Sequence, residues 1–285
     1  MTKISVVIAT LGTTDLLNST IKSINTGSLV PSEILICIPK EYYKNVKNYN
    51  YKNVRVIITK SMGQVAQRAE GFLASKYPLV LQLDDDIILN NDCLEQMANY
   101  LNHNEIKTAV CPMLYEKISK KYHLFLTQSK NSSLIEKIIF FIINGKKGYE
   151  PGKISKSGVN MGLPEFPKTW KGVEWIPGAC VLHRKENLIN YDYYPLKGKA
   201  YGEDLFHSQI LINNGIKLVR LGKAKCFVDF SSSKVSLLGL FKTYYFYFKS
   251  MKEFNKRINV LPYRLFLYIN FRIIQLILKK MLLLK

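Results

Sequence analysis

The densest grouping of chemically capable side chains is the run Asp84-Asp85-Asp86, which follows the apolar stretch Leu79-Val-Leu-Gln-Leu83. Three adjacent carboxylates repel one another unless positive charge offsets them. Their hard oxygens suit Mg²⁺ or Mn²⁺, and such an ion can bridge them to a diphosphate. On a strand, side chains alternate, so Asp84 and Asp86 would share one side and Asp85 take the other. An acidic turn that caps the next helix is the plainer alternative, but Asn90-Asn91-Asp92 already supplies a better cap. A second grouping is Tyr201-Gly202-Glu203-Asp204-Leu205. Acids that follow a glycine at a helix start gain from the helix dipole. This grouping therefore reads equally as a plain N-cap and as a carboxylate base that removes a proton from a hydroxyl.

These groups need a scaffold, and the chain supplies signals for one. Ile4–Ala9, Glu33–Ile38, Val54–Ile58 and Leu79–Leu83 are short apolar runs of strand length. Between them, Asp15–Ile24 and Gln64–Ala74 carry apolar residues at helical spacing. The expected fold class is α/β, with a mostly parallel central sheet and helices on both faces. Ligands of such sheets bind beyond the carboxyl ends of the strands, where the Asp84 run lies. Further on, Thr108–Leu114, Trp175–His183, Lys217–Val219 and Cys226–Phe230 are expected strands. Leu134–Ile143 reads as a core or surface-seeking helix, and Asp204–Asn213 as a helix ended by Asn214-Gly215. Lys146–Pro167, rich in Gly, Lys, Ser and Pro, reads as a loop long enough to be functional or mobile.

The 285 residues allow one large or two small domains, and a 47% hydrophobic content supports a sizeable core. A net charge of +20 calls for an anionic partner. Residues 231–285 hold eleven basic residues against Glu253 alone, which is half of that excess. The five cysteines form no CxxC pair, and the four histidines have no zinc spacing. They read as reduced, buried thiols of a cytosolic protein. The first residues are too strand-like for a signal peptide. No stretch reaches about 18 uninterrupted apolar residues, so a spanning helix is not expected.

Taken together, these segments resemble the inverting family 2 glycosyltransferases, which have the nucleotide-diphospho-sugar transferase (GT-A) fold. The resemblance runs over about residues 3–250. It is carried by Ile4-Ser-Val-Val-Ile-Ala-Thr10, by Gly63-Gln64-Val-Ala-Gln67-Arg68-Ala-Glu-Gly71, by Asp84-Asp85-Asp86, by Glu174-Trp-Ile-Pro-Gly178-Ala-Cys180 and by Glu203-Asp204. It implies donor contacts at Thr10, Gln64, Arg68, Asp84 and Asp85, and a Mn²⁺ or Mg²⁺ ion on Asp86 and Asp84. It makes Asp204, beside Glu203, the base. The chain departs from the family in two places. Its second strand ends Ile36-Cys37-Ile38-Pro39-Lys40, without the usual acidic run that contacts the nucleoside. Where many relatives place a metal-side His, Asp229 stands, either a further ligand or a turn residue. The Gln-x-x-Arg-Trp signature of processive synthases is absent, which favours transfer of a single sugar.

The expected layout is a catalytic domain over 1–230, with a donor half to about 115 and an acceptor half from about 116. A basic amphipathic helical tail follows over 231–285. In that tail Lys242, Lys249, Lys252 and Lys256 share one helical face, and Arg264, Tyr268, Arg272, Gln275 and Lys279 form a polar stripe. Phe266, Ile269, Ile273, Leu276 and Ile277 face roughly the other way. Such helices suit the plane of an anionic bilayer, and a tail packed on the catalytic domain is the alternative. The expected partners are a nucleotide-diphosphate sugar, a saccharide or lipid-linked acceptor and the inner membrane face, with no nucleic acid. Two other functions stay open on sequence alone. A sugar-nucleotide nucleotidyltransferase would want a Gly-rich, basic loop after the first strand, and Thr10-Leu-Gly12-Thr-Thr14 has one Gly and no basic residue. A non-catalytic basic module would leave the acid run unexplained.

Overall fold

The computed structural model describes residues 2–13, 16–46, 51–122, 126–128, 133–164, 169–228 and 237–283. Two compact units emerge: Met1–His123 with Glu165–Phe230, and Leu124–Pro164 with Ser231–Lys285.

The first unit is built on one nine-stranded sheet. Its leading half is the parallel array expected from the apolar runs: β1 (Ile4–Ala9), β2 (Glu33–Pro39), β3 (Val54–Thr59) and β4 (Leu79–Asp84). Every residue of β1 and β2 is buried, so both faces of the sheet are covered there. The crossovers are α1 (Leu16–Asn25) and α2 (Gln64–Ala74). Phe72 of α2 packs with Val7, Leu35 and Val80 on one face. Beyond β4 come β5 (Ile87–Leu89), α3 (Cys93–Asn102) and β6 (Thr108–Glu116).

The trailing half is mixed. β7 (Trp170–Lys171) and β8 (Cys180–Arg184) precede α5 (Glu203–Asn213) and β9 (Lys217–Val228), and the sheet order is β3-β2-β1-β4-β8-β6-β9-β5, with β7 also paired to β9. β8 runs antiparallel to both β4 and β6, because its chain arrives at the carboxyl end of the sheet. That arrival sets the Pro177-Gly178-Ala179 turn beside the acid run, with Asp84 N donating to Ala179 O at 2.8 Å. The expected strand from Trp175 therefore starts only at Cys180. The two short strands expected at 217–219 and 226–230 are one strand to Val228, which shifts register against β6 across residues 222–224, while residues 229–230 lie outside the described residues. Gly222 and Lys223 mask that continuity in the sequence.

In the second unit, α4 (Leu134–Asn144) begins in a capping box, with Ser133 Oγ accepting from Glu136 N and Glu136 accepting from Ser133 N at 2.8 Å. α6 (Leu237–Arg257) and α7 (Tyr263–Leu283) follow. Phe140 and Ile143 of α4 form a small core with Met161, against which Tyr149 and Tyr268 pack. After a short 3-10 turn at Gly145–Lys147, the segment to Pro164 has no α-helix or long strand, as expected, but it is not loose; residues 165–167 of the expected loop lie outside the described residues. Ser155, Ser157, Val159, Met161 and Leu163 are buried, and Asn255 Nδ2 donates to Ser157 O at 2.9 Å. Gly158 is what permits this approach. Its φ is +80°, and a Cβ there would stand 1.7 Å from Asn255 Oδ1.

Candidate active site

The acid run sits where β4 ends. Asp84 is the last strand residue, while Asp85 and Asp86 form the turn into β5, and all three are half-buried. Their partners differ. The Thr10 hydroxyl, just past β1, donates to Asp85 Oδ2 and accepts from Gly12 N at 2.9 Å. Thr20 of α1 donates to the Asp85 carbonyl at 2.9 Å. Asp84 Oδ1 instead faces α2, where Gln64 Nε2 donates at 2.9 Å and Arg68 Nη2 at 2.5 Å. Gln64 and Arg68 are one helical turn apart, the spacing that lets two side chains meet one group.

Arg68 joins the two sequence groupings. Its other terminal nitrogen, Nη1, donates to Glu203 Oε1 at 2.6 Å across a separation of 135 residues. Glu203 Oε2 accepts from the Tyr193 hydroxyl at 2.9 Å, so both oxygens of this buried carboxylate are engaged. Arg68 itself is 2% exposed. Burial works against its charge, but Glu203 and Asp84 outweigh that and hold the guanidinium cationic. Burial raises the Asp84 carboxyl above its ordinary value, and Arg68 offsets only part of that rise. Gly178 closes the network from above. Its carbonyl accepts from Gln82 Nε2 at 2.5 Å, and a Cβ there would lie 2.5 Å from Glu203 Oε1.

Asp204 follows Glu203 in the first turn of α5 and is half-buried. Burial, then the Glu203 charge, pushes its carboxyl up to about 7. That places its proton exchange in the range useful to a general base near neutral pH.

Several residues of this site carried no local sequence signal. Gln67 Nε2 donates to the carbonyls of Thr10 at 2.9 Å and Cys37 at 2.8 Å, tying together the ends of β1 and β2. Tyr193 lies in a Tyr-rich loop with nothing to mark it. Tyr193 stacks on His207 at 5.7 Å, and His207 meets His183 edge-on at 5.4 Å. Both histidines are buried. Neither ring nitrogen of His183, nor Nδ1 of His207, has a hydrogen-bond partner among the described residues. Of the residues expected at the site, Asp229 lies outside the described residues.

The buried imidazoles yield a pH prediction. Burial lowers the His207 pKa to about 3 and that of His183 well below its ordinary value, with Arg68 adding to both effects. The unfolded chain protonates both near pH 6.5. It therefore binds more protons than the fold below that pH, so stability present above pH 6.5 is lost as pH falls. Asp204 acts oppositely, since the fold holds its proton from about pH 7 down. Replacing only the imidazoles separates the two effects. Between pH 7.5 and 5, wild type should lose about 2 kcal/mol from His207, and more in the same direction from His183, relative to the double variant His183→Phe/His207→Phe. Urea denaturation at both pH values measures this, and parallel pH curves for the two proteins would refute it.

A cleft of about 430 Å³ opens between the start of α2 and the 192–200 segment, lined by Gly63, Gln64, Ala66, Tyr194, Pro195 and Lys197 among others. Gln64 thus belongs both to the cleft and to the Asp84 network. Among the described residues no three His, Cys, Asp or Glu side chains converge as a metal cage. Asp84 and Asp86 nonetheless offer half-buried, hard oxygen donors. Mg²⁺ characteristically takes one or two protein carboxylates and completes its shell with substrate phosphates. The donor set fits an ion that arrives with a diphosphate.

No curated protein gives a significant match to the chain. Among solved structures, the crystal structure of GalNAc-T7 with UDP, GalNAc and Mn²⁺ superimposes with a TM-score of 0.59 at 14% identity. The match covers 80% of this chain and 43% of that one, so the present chain spans under half the length of its neighbour. At that identity the likeness is one of fold. The family model described as Glycosyl transferase family 2 matches residues 5–155, just over half of the sequence. That stretch holds Thr10, Gln64, Arg68 and the whole acid run, and the chain belongs to glycosyl transferase family 2.

Proposed function

We propose that this glycosyltransferase is metal-dependent and inverting, and moves a single sugar from a nucleotide-diphosphate sugar to a hydroxyl of a saccharide or lipid-linked saccharide. The observation that carries this reading is the Asp84–Arg68–Glu203 bridge. It brings the acid run at the end of β4 to the acids that open α5, and this juxtaposition supports reading them as donor-side residues and base.

In this reading Asp86 and Asp84 hold a Mn²⁺ or Mg²⁺ ion, which when bound offsets the charge of the departing nucleoside diphosphate. Thr10, Gln64, Arg68 and Asp85 shape the donor side. The cleft beside Gln64 has a volume suited to a nucleotide or a sugar. Asp204 takes the proton from the acceptor hydroxyl as that oxygen attacks the anomeric carbon from the face opposite the leaving group, so the configuration inverts. Glu203 is held by Arg68 and Tyr193 and acts by positioning. Asp229 is the further ligand in this reading. Among the described residues no helix is long and apolar enough to cross a membrane. The basic carboxyl-terminal segment supports work at the inner membrane face, in cell-surface polysaccharide or glycolipid synthesis.

A donor screen with Mn²⁺, scored by release of nucleoside diphosphate, tests the activity. Asp86→Ala tests the metal. It should abolish Mn²⁺-linked binding of nucleoside diphosphate while leaving the fold intact. Calorimetry that shows unchanged binding would remove Asp86 from the site.

A further inference from the structure

The second unit carries its apolar residues on the wrong side for a water-soluble surface. On α7, Leu265 and Ile269 are buried, while Tyr263, Phe266, Leu267, Ile274, Ile277 and Leu278 are exposed. At about 100° per residue, the six exposed side chains fall within an arc of about 120°, shared among the described side chains only with Asn270. Phe266 is 57% exposed and Ile274 55%. The polar residues expected to face water are the half-buried ones. Arg264 Nη1 donates to the Phe141 and Ile142 carbonyls at 3.1 and 2.9 Å, closing the end of α4. Arg272 Nη1 donates to Gln275 at 3.1 Å, and its charge acts on the largely buried Tyr268. The side chains of Lys279 and Lys280 lie outside the described residues. α7 is thus amphipathic in the inverted sense.

α4 repeats the pattern. Ile139, Phe140 and Ile143 are buried, whereas Leu134, Ile138 and Phe141 form an exposed stripe at helical spacing, 73%, 39% and 61% exposed. Arg264 and the Phe140–Ile143–Tyr268 cluster fasten this helix to α7. Between α6 and α7, Leu240, Phe241, Tyr244, Ile273, Leu276 and Ile277 line a shallow apolar groove. Soluble monomers rarely expose apolar stripes of this extent.

Charge identifies the occupant. Residues 124–164 hold six Lys against two Glu, and 231–285 hold eleven basic residues against one Glu. The second unit therefore carries +14 of the chain's +20. Lys146 and Lys147 are exposed at the end of α4, and Lys242, Lys249, Lys252 and Lys256 are exposed along α6. An apolar face within a basic unit matches the boundary between acyl chains and anionic headgroups.

We propose that α4 and α7 form one bilayer-seating face, which enters the interface of an anionic membrane without spanning it. This deepens the membrane reading above by naming the surface, and by assigning half of it to α4 rather than to the tail. α7 also completes the core under α4, so truncation is a poor probe and exposed point substitutions are better. The experiment is flotation of the full chain with phosphatidylglycerol-containing vesicles and with pure phosphatidylcholine vesicles. The variants are Phe266→Glu/Ile274→Glu on α7 and Leu134→Glu/Phe141→Glu on α4. Wild type should float with the anionic vesicles, weakened but not abolished by raised salt. Each pair should lower binding by about tenfold or more, with an unchanged circular dichroism spectrum and thermal midpoint. All five native cysteines are buried, so a dye on Ile274→Cys should label selectively and shift to the blue on anionic vesicles. If only the α7 pair affects binding, the joint face is wrong. If wild type ignores both vesicles and is instead a dimer that the Glu pairs dissociate, the face is a contact between copies and the proposal falls. None of these readouts involves donor turnover, so failure here is distinct from failure of the proposed reaction.

Discussion

Asp204→Asn should lower turnover by about 10²–10⁴-fold, the usual scale for a positioned general base, while donor affinity stays near that of wild type. Asparagine keeps the size of the side chain and its hydrogen-bonding reach but cannot accept a proton. The assignment rests on the contrast between two neighbours at the start of α5. Glu203 has both oxygens committed, one to Arg68 and one to Tyr193. Asp204 is half-buried, and burial together with the Glu203 charge pushes its carboxyl up to about 7. A base works only when deprotonated, so kcat/KM should rise with pH through about 7, and Asp204→Asn should lack that acidic limb. Glu203→Gln is the control. It should weaken donor binding by loosening Arg68, yet keep the limb, moved to lower pH because the Glu203 charge no longer raises Asp204. If Asp204→Asn keeps wild-type turnover and Glu203→Gln does not, the base is Glu203 and the roles are reversed.

What could be read from the sequence was local. β1, β2, β4 and α2 were legible because each is an apolar run or stripe ended by a polar turn, a proline or a glycine. The acid run was legible because three carboxylates at a strand end have few structural uses. Long-range pairing was not legible. Nothing near Cys180 says that β8 runs against its neighbours, yet that reversal puts Gly178 beside Glu203. Gly222 and Lys223 read as a break, but β9 absorbs them as a register shift against β6. Gln67 stands in the segment that carries the family resemblance without a role of its own there, and only the juxtaposed ends of β1 and β2 give it two carbonyls to hold. α7 shows the limit most plainly. Its periodicity separates polar from apolar residues correctly, but periodicity alone does not say which side meets solvent. The capping of α4 by Arg264 decides that, and it turns the apolar side outward.

Removing the cation from the centre of the site should have the largest effect on stability. Arg68→Met keeps the length and apolar stem of the side chain but leaves Asp84 and Glu203 without their shared partner. The guanidinium is 2% exposed, Asp84 24% and Glu203 8%, so water cannot fully replace it. Breaking a buried ion pair from one side characteristically costs about 3–5 kcal/mol, because the remaining charge stays buried. Urea denaturation at pH 8 should show a loss of about that size. The loss should shrink at pH 5, since carboxyls deprived of the cation take up protons more readily and so shed the buried charge. Neutralising one acid as well should act in the same direction. Arg68→Met/Glu203→Gln should be more stable than Arg68→Met alone at pH 8, and less different from it at pH 5. Turnover should return in neither variant, because the bridge that sets β4 against α5 is gone in both. A loss that is equal at the two pH values, or no gain from the second substitution, would mean that Arg68 stabilises by packing and that the Asp84–Arg68–Glu203 charges do not hold the site together.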